Sequence, residues 1–459
     1  MQLPLQCRHV HSDQAAKQKM KTTEMKKNMG VMAAVSIVVG CVIGAGVFFK
    51  PYAIYLATGG APGLGLLSWL IGGLVSIFGA LTFAEIAVMI PRTGGMVTYL
   101  GEVYDKRLGF LAGWMQVVIF YPAYLAGYGV KVGTELSGLL GINISMPVGL
   151  LIIAGIVLLN VLGSGFASRF QILSTVCKLI PLFLIIAAGF LLGGSREPLF
   201  TPMIGEGVSA GSALGSTLLA VLFAFEGWTN VGAIAGEMKN PARDLPRAIV
   251  GGVSIIMGVY LLINIAYLRV IPASELMHIE SPAAAVATKL FGSAGGTIIA
   301  LGIIISVIGA GNGFLLSGSR VAYYLAQEGM IPCSGKLSEL NAKLVPANSI
   351  ILVGTLAALY SLIGQFDLLT DMGTFSCWIF YTLTFACVIH MRRKHPEMER
   401  TYKVPGYPVI PILAIGSGIF VIVSQLFLSG SRGRIMALAS IGITLVGLPV
   451  YMGVQKKRK

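Results

Sequence analysis

Long apolar segments alternate with short polar segments along almost the whole chain. Backbone polar groups in lipid must find hydrogen-bond partners within their own segment, so we expect each apolar segment to be helical. Each is close to the ~20 residues that a helix needs to cross ~30 Å of hydrocarbon. The pattern predicts an all-α polytopic membrane protein with twelve transmembrane helices. They lie at about 30–57, 63–89, 108–139, 147–163, 170–193, 213–236, 247–270, 293–325, 347–364, 372–390, 408–429 and 434–452.

Composition favours a membrane protein and excludes an ordinary soluble enzyme. Of the 459 residues, 55% are hydrophobic and 11% are charged, whereas soluble domains carry about 25% charged residues. The chain contains 59 glycines, and glycine is frequent in membrane helices. Its six cysteines and five histidines show neither CxxC nor HExxH spacing, so we expect no metal centre and no cofactor.

The net charge of +14 comes mainly from the polar segments. With the N-terminus assumed cytoplasmic, the segments on that side hold 25 Lys and Arg residues and those on the other side hold seven, Lys50 and Lys131 included. The positive-inside rule then predicts that both termini lie in the cytoplasm, and the membrane is expected to be the plasma membrane. This explains the basic residues better than nucleic-acid binding does. Residues 1–28 are predicted to be a polar tail rather than a signal peptide, with translation starting at Met1 or Met25.

Two apolar segments are interrupted by residues that weaken a helix. The first has Gly44 and Gly46 at its centre, and the sixth has Glu226 and Gly227. Glycine in a helix costs about 1 kcal/mol relative to alanine, and a carboxylate at mid-membrane usually faces a polar cavity. Matched interruptions five segments apart predict an inverted-repeat transporter with its binding site at the breaks. The alternatives are close packing of helices at the two glycines and a structural role for Glu226.

Broken helices expose backbone groups that suit a free amino acid. N–H groups at the start of the following half-helix attract anions, and C=O groups at the end of the preceding half-helix attract cations. We therefore predict that the amides of Gly44, Ala45 and Gly46 hold a carboxylate. The carbonyl groups predicted to hold the ammonium group are those near Val42, Ile43, Phe223 and Ala224.

Seven motifs follow one another from about residue 29 onward: IGAGVF (43–48), TFAEI (82–86), PRTGGMVTYL (91–100), LGFLAGW (108–114), FAFEGWTN (223–230), GEMKNPARDLPRAI (236–249) and VPGYPVIPILA (404–414). In these motifs the sequence resembles the amino acid–polyamine–organocation superfamily, and more closely its L-amino-acid transporter branch. Bacterial serine/threonine and alanine–serine–cysteine exchangers are especially similar. The resemblance implies twelve helices, with helices 1–5 and 6–10 as inverted repeats, and sodium-independent exchange of amino acids by alternating access. It also implies that Phe223 is the gate over bound substrate.

This resemblance divides the chain into five parts: the tail 1–28, the first repeat 29–194, the inverted repeat 205–391, helices 11 and 12 at 404–453, and a basic tail at 454–459. The expected partners are small neutral L-amino acids and the lipid bilayer, without nucleic acid and without a heavy-chain subunit. Ala45 and Glu226 differ from the residues of many relatives, which leaves side-chain specificity open.

Lys178 lies inside the fifth apolar segment. A lysine at that depth costs about 2.5–3.5 kcal/mol to insert and should face a partner or a cavity. One interpretation is that its side chain snorkels to the cytoplasmic surface. The resemblance favours another, in which the ammonium group takes the place of the sodium ion of sodium-coupled relatives. It would then bind carbonyls near Gly44 and the hydroxyl of Ser306.

Side chains near the breaks are candidates for substrate discrimination, although helix packing explains each of them equally well. The bulk of Phe223, Phe225 and Trp228 favours a small pocket, and hence alanine, serine, threonine, cysteine or glycine. Further candidates for this pocket are Tyr121, Tyr124, Asn312, Ser376 and Cys377.

On the cytoplasmic side, Glu85 is predicted to be structural, and Arg392, Arg393 and Lys394 are expected to meet anionic lipid. The charges of segment 236–249 either form ion pairs that close this side or stay solvated.

Proton-coupled uptake is the main alternative to exchange. A channel lacks support because no filter-like segment occurs, and an enzyme because no nucleophile–base or metal constellation occurs.

Overall fold

The computed structural model describes residues 31–90, 94–229 and 240–457, and regular structure in these ranges is entirely helical. The predicted tail 1–28 lies outside them. In chain order the helices are α1 (Val31–Val42), α2 (Gly46–Ala57), α3 (Pro62–Met89), α4 (Met96–Val103), α5 (Lys106–Leu140), α6 (Ser145–Val161), α7 (Ser164–Leu192), α8 (Ala210–Ala224), α9 (Pro241–Val270), α10 (Ala273–Leu276), α11 (Pro282–Gln327), α12 (Ser334–Leu337), α13 (Ala347–Ser361), α14 (Phe366–Lys394), α15 (Val409–Leu428) and α16 (Ser431–Lys456). Helices α5 and α15 each include one π-helical turn, at Gln116–Phe120 and Ser424–Leu428.

Eight of the described helices are long and apolar enough to cross a membrane, namely α3, α5, α7, α9, α11, α14, α15 and α16. Helices α6, α8 and α13 are apolar but shorter, and α1 and α2 have 12 residues each. An all-helical, multi-pass architecture is therefore confirmed for the described part of the chain.

The helices differ from the hydropathy segments mainly at their polar ends. Helix α14 begins at Phe366 rather than near 372, and α9 begins at Pro241 rather than near 247. Hydropathy reports the lipid-covered part of a helix, whereas the helix continues as long as its backbone hydrogen bonds do. Helix α11 contains a kink at Gly292, where φ is 73°. The predicted segment starts at 293, directly after this kink.

The broken helix α1/α2 and helix α8 are surrounded by longer helices. Helix α1 packs against α9, α2 packs against α8, and α8 and α9 both pack against α3. Helix α5 contacts α6, α11, α13 and α14 on the other side of the bundle. We call the end of the bundle that holds the loop 58–61 the outer end, and the end at which α1 begins the inner end.

At the inner end a buried carboxylate connects α3 to the C-terminal end of α14 and to the chain before α15. Glu85 is fully buried. Its Oε1 accepts from Arg392 Nε at 2.8 Å, and its Oε2 accepts from Arg392 Nη2 and from the amide of Val404, both at 2.6 Å. This agrees with a structural Glu85. The expectation that Arg392 meets lipid is wrong, because its guanidinium is paired with Glu85, whereas Arg393 is exposed.

Arg392→Ala should destabilise the folded protein strongly. The substitution removes both guanidinium hydrogen bonds of the buried Glu85 carboxylate and leaves Arg400, 3.8 Å away, as its counter-charge. Breaking a buried ion pair typically costs roughly 3–5 kcal/mol, and we expect a loss at the lower end of this range because Arg400 stays in place. Arg393→Ala removes the same charge from the exposed neighbouring position and serves as the matched control. Thermal unfolding of the purified variants in detergent measures the difference, and equal melting temperatures for the two would contradict the structural role of this ion pair.

Candidate functional site

The first apolar segment is broken at its centre, as predicted. Helix α1 ends at Val42 and α2 begins at Gly46, with no helical structure between them. The amides of Gly44 and Ala45 donate to no backbone carbonyl of the described residues. The first amides of α2 also have no acceptor within their own helix. The N-terminal end of α2, where the helix dipole is positive, therefore faces this break.

The sixth apolar segment is also interrupted. Helix α8 ends at Ala224, and a turn follows at residues 225–227. Gly227 has a φ of 118°, in the region that strongly favours glycine. The described chain stops at Thr229 before it resumes at 240, so Asn230 and the second half of the predicted segment lie outside the described residues.

The two breaks touch each other. A Cβ atom added to Gly46 would lie 2.4 Å from the Cα atom of Ala224, so the two backbones are in direct contact. The start of α2 and the end of α8 thus meet with opposite partial charges. Gly46 therefore lies at a helix break and also allows close packing of two backbones, so both interpretations apply to it. A Cβ atom at Gly44 would lie at an ordinary 3.5 Å from the Cβ of Ala310.

Tyr260 of α9 connects the two breaks through its hydroxyl group. This hydroxyl lies 3.2 Å from the carbonyl oxygen of Val42 and 3.0 Å from that of Ala224. Since a hydroxyl has one proton, it donates to one of the two at a time. Both carbonyls were predicted to hold an ammonium group, and they converge on this one polar atom. The sequence gives no signal for Tyr260, because a tyrosine within an apolar helix fits packing equally well.

Lys178 of α7 binds the C-terminal end of α1. Its Nζ donates to the carbonyl oxygens of Gly40 at 2.5 Å and Ile43 at 2.7 Å, and the side chain is buried. This burial argues against snorkelling. The Ile43 carbonyl, predicted to hold a substrate ammonium group, accepts from Lys178 instead. Ser306 is buried and its Oγ has no hydrogen-bond partner among the described residues, so the expected contact between Lys178 and Ser306 is not formed.

Glu226 is buried between the end of α8 and α14. Its Oε1 accepts from the hydroxyl of Tyr381 at 2.6 Å and from the amide of Gly227 at 3.3 Å. Its Oε2 is buried and has no hydrogen-bond partner in the described part of the chain. A structural role explains Oε1 but leaves Oε2 unexplained.

An ion cluster that the sequence analysis missed lies on the outer side of the breaks. Lys50 of α2 is fully buried, and its Nζ lies 2.8 Å from Asp367 Oδ1 and 2.9 Å from Asp371 Oδ1, one turn apart on α14. We call these three residues the outer ion cluster. In the count of basic residues above, Lys50 is one of the seven assigned to the outer polar segments, although it lies inside the first apolar segment. Its position inside an apolar segment was the available signal for a buried partner.

Phe223, the predicted gate residue, lies beside the outer ion cluster and is buried. The centre of its ring is 4.9 Å from that of Tyr124 and 5.7 Å from that of Phe366, and Lys50 Nζ lies 5.0 Å from it. Together, Phe223 and the outer ion cluster cover the breaks on their outer side.

Packing accounts for the positions of the other predicted pocket residues. Trp228 lies between the rings of Phe83 and Tyr381, at 5.5 and 5.4 Å. Asn312 donates to Gln171 Oε1 at 2.9 Å and accepts from Asn160 at 2.8 Å. The remaining four are Tyr121, which is buried with its ring centre 6.1 Å from that of Phe314, Tyr124, which bonds Thr374, Ser376, which bonds Met372 O in its own helix, and Cys377, which is buried.

Two further predictions concern the inner end and metal binding. In the segment predicted to close the inner side, Arg243 pairs with its neighbour Asp244 at 2.9 Å, while Glu237 and Lys239 lie outside the described residues. Within the described ranges, no group of three His, Cys, Asp or Glu side chains is arranged to hold a metal ion.

Comparison with known proteins identifies the family. A family model described as amino acid permease matches residues 29–446. The serine/threonine exchanger SteT of Bacillus subtilis is 38% identical over 438 residues, which cover 95% of this chain and 98% of SteT. The human b(0,+)-type amino acid transporter 1 is 30% identical over 418 residues, 89% of this chain and 84% of that protein. The human cystine/glutamate transporter is 29% identical over 436 residues, which cover 93% of this chain and 85% of that protein. With its helical, multi-pass fold, the chain belongs to the amino acid permeases of the amino acid–polyamine–organocation superfamily, in the L-amino-acid transporter branch.

Proposed function

We propose that the protein exchanges small neutral L-amino acids, such as alanine, serine, threonine, cysteine and glycine, across the plasma membrane without sodium. The observation that carries this proposal is the contact between Gly46 and Ala224, which brings two opposite helix ends to one place. A free amino acid has one carboxylate and one ammonium group. The positive end of α2 suits the first and the negative end of α8 suits the second.

In the proposed binding mode, the backbone recognises the α-amino acid. The amides of Gly44, Ala45 and Gly46 hold the carboxylate. The carbonyls of Val42 and Ala224 hold the ammonium group in place of the Tyr260 hydroxyl, which now lies 3.0–3.2 Å from both. The substrate side chain then faces the groups that surround the second break.

The proposed topology has twelve membrane spans in two inverted repeats. The first repeat, 29–194, contains α1 to α7, and the second, 205–391, contains α8 to α13 and all of α14 except its last turn. Helices α15 and α16 are then helices 11 and 12, both termini are cytoplasmic, and the outer end faces the cell exterior. Interruptions in the first span of each repeat support this arrangement.

Lys178 supplies a fixed positive charge in the proposed mechanism. Its two hydrogen bonds to the end of α1 provide at the break the charge that a transported sodium ion would otherwise provide. Because the same carbonyl groups border the proposed substrate site, movement of α1 and binding of substrate are coupled through this lysine. Such a tethered cation needs no sodium gradient.

The outer ion cluster and Phe223 form the proposed outer gate. Helix α14 has to separate from α2 before substrate can reach the breaks from outside, and this movement breaks the pairs from Lys50 to Asp367 and Asp371. In alternating access, the outer gate opens while the inner end is closed, and the inner end then opens while the outer gate is closed.

Counterflow in liposomes tests the proposal. Liposomes containing the purified chain alone, without a heavy-chain subunit, should accumulate labelled serine from sodium-free buffer only when they are preloaded with unlabelled substrate. Adding sodium should leave the accumulation of labelled serine unchanged, and no net current should accompany exchange of neutral amino acids. A panel of labelled amino acids gives the substrate range. Equal uptake into empty and preloaded liposomes would contradict obligate exchange.

One observation favours proton-coupled uptake as a second candidate function. The buried Oε2 of Glu226 has no partner in the described chain, and a carboxyl group in this position could carry a proton. In that case an inward proton gradient would drive uptake into empty liposomes, and Glu226→Gln would abolish the response to the gradient. If exchange is the function, the gradient has no effect on counterflow.

A further inference from the structure

A cavity of about 570 Å³ lies on the outer side of the outer ion cluster. We call it the outer vestibule. Residues of α2, α5, α14, α15 and α16 line it, together with Glu280 from the chain before α11. Its volume is within the range of small-molecule sites, so it has room for an amino acid together with water.

Charged side chains of both signs line the outer vestibule. Asp367 and Asp371 contribute from α14, Arg432 from α16 and Lys131 from α5, and Glu280 completes the set. Lys50 pairs with the two aspartates from behind, and Lys131 pairs with Glu135 at 3.2 Å. A cavity with accessible carboxylates on one side and a guanidinium on the other offers a partner to each end of a zwitterion.

The two aspartates are shared between the outer gate and the vestibule. Each uses its Oδ1 to bind Lys50, and the two side chains are still 35% and 29% exposed. Arg432 is exposed and donates to Gln365, which also lines the cavity. Carboxylate and guanidinium groups that remain accessible can both form charge-assisted hydrogen bonds with a ligand.

We propose that the outer vestibule is a second binding site, which holds a zwitterionic amino acid before it passes the outer gate. Asp367 and Asp371 receive the ammonium group, and Arg432 receives the carboxylate. An ammonium group bound there competes with Lys50 for the same carboxylates, so the arriving amino acid loosens the gate that it has to pass. The inference rests on the proposed function, because it needs the breaks to be the destination of the substrate.

Serine exchange by Arg432→Gln, measured separately at the outer and the inner face of the membrane, tests this site. Serine exchange is measured in right-side-out and in inside-out membrane vesicles that are preloaded with serine. The half-saturating concentration should rise about threefold to fivefold at the outer face and stay unchanged at the inner face. Arg434→Gln is the matched control, because Arg434 donates to the Leu426 carbonyl and does not line the vestibule. It should behave like the unmodified protein at both faces.

Charged inhibitors provide a readout that a purely structural role of Arg432 would not change. Arg432→Gln makes the vestibule more negative, so external lysine should inhibit serine exchange more strongly. Glu280→Gln makes it less negative, so external lysine should inhibit less strongly. Both shifts should shrink at high ionic strength, because salt screens partly exposed charges.

The outcomes separate this inference from the proposed function. If the unmodified protein exchanges no serine in these vesicles, the proposed function fails. If it exchanges serine but Arg432→Gln leaves the outer half-saturating concentration unchanged, or changes both faces by the same factor, the vestibule site is overturned and the proposed function stands. Shifts of the same sign for Arg432→Gln and Glu280→Gln with external lysine would also overturn it.

Discussion

Lys178→Ala should reduce serine exchange about a hundredfold while the protein still inserts into the membrane. The substitution removes two charge-assisted hydrogen bonds from the end of α1, at Gly40 and Ile43. Such bonds contribute about 1.5–3 kcal/mol each, and if the contribution of one of them, about 2.7 kcal/mol, is lost from the transport barrier, the rate falls about a hundredfold. The end of α1 would then carry buried carbonyl groups without their cation, and its movement would no longer be coupled to substrate.

Counterflow of labelled serine in liposomes measures this loss, and size-exclusion chromatography of the purified variant checks insertion and folding. Lys289→Ala is the matched control, because Lys289 is exposed in the outer part of α11. It removes the same charge without touching the breaks, and it should exchange serine normally. Near-normal exchange by Lys178→Ala would refute the coupling role.

Gly46→Ala should nearly abolish exchange, whereas Gly44→Ala should be far milder. The new Cβ atom at position 46 would lie 2.4 Å from the Cα of Ala224, so two backbones would have to move apart. Overpacking typically costs about 1–3 kcal/mol, and here neither neighbour is a flexible side chain that could yield. At position 44 the nearest atom outside the break is the Cβ of Ala310, at 3.5 Å.

Both variants add one methyl group at the same break, Gly46→Ala at the first residue of α2 and Gly44→Ala between α1 and α2. Exchange rate and thermal stability in detergent are measured for both. We expect at least a tenfold lower rate for Gly46→Ala than for Gly44→Ala. Equal rates for the two would show that contact between the breaks is not needed for transport.

The sequence predicted the features that depend on local pattern. Hydropathy located the helices, because burial in lipid requires long apolar segments. Gly44 and Gly46 located the first break, and Glu226 and Gly227 located the second. Lys178 was recognised because a charge inside an apolar segment needs a partner. Its binding to the end of α1 follows the prediction, but Ser306 takes no part in it.

The sequence could not predict pairs of residues that meet only in the folded protein. Lys50 and Asp367 are separated by 317 positions along the chain, and Arg392 and Glu85 by 307. Lys50 and Glu85 lie inside apolar segments, which indicates a buried partner for each, but nothing in the sequence says which distant charge that partner is. Tyr260 is similar, since only its place on α9 beside both breaks distinguishes it from a packing residue.

A structure of the protein with bound serine tests most directly whether the two helix breaks hold the amino acid. We expect serine between α2 and α8, with its carboxylate at the amides of Gly44, Ala45 and Gly46 and its ammonium group at the carbonyls of Val42 and Ala224. A continuous helix through residues 43–45 in that complex, or serine bound away from both breaks, would contradict it.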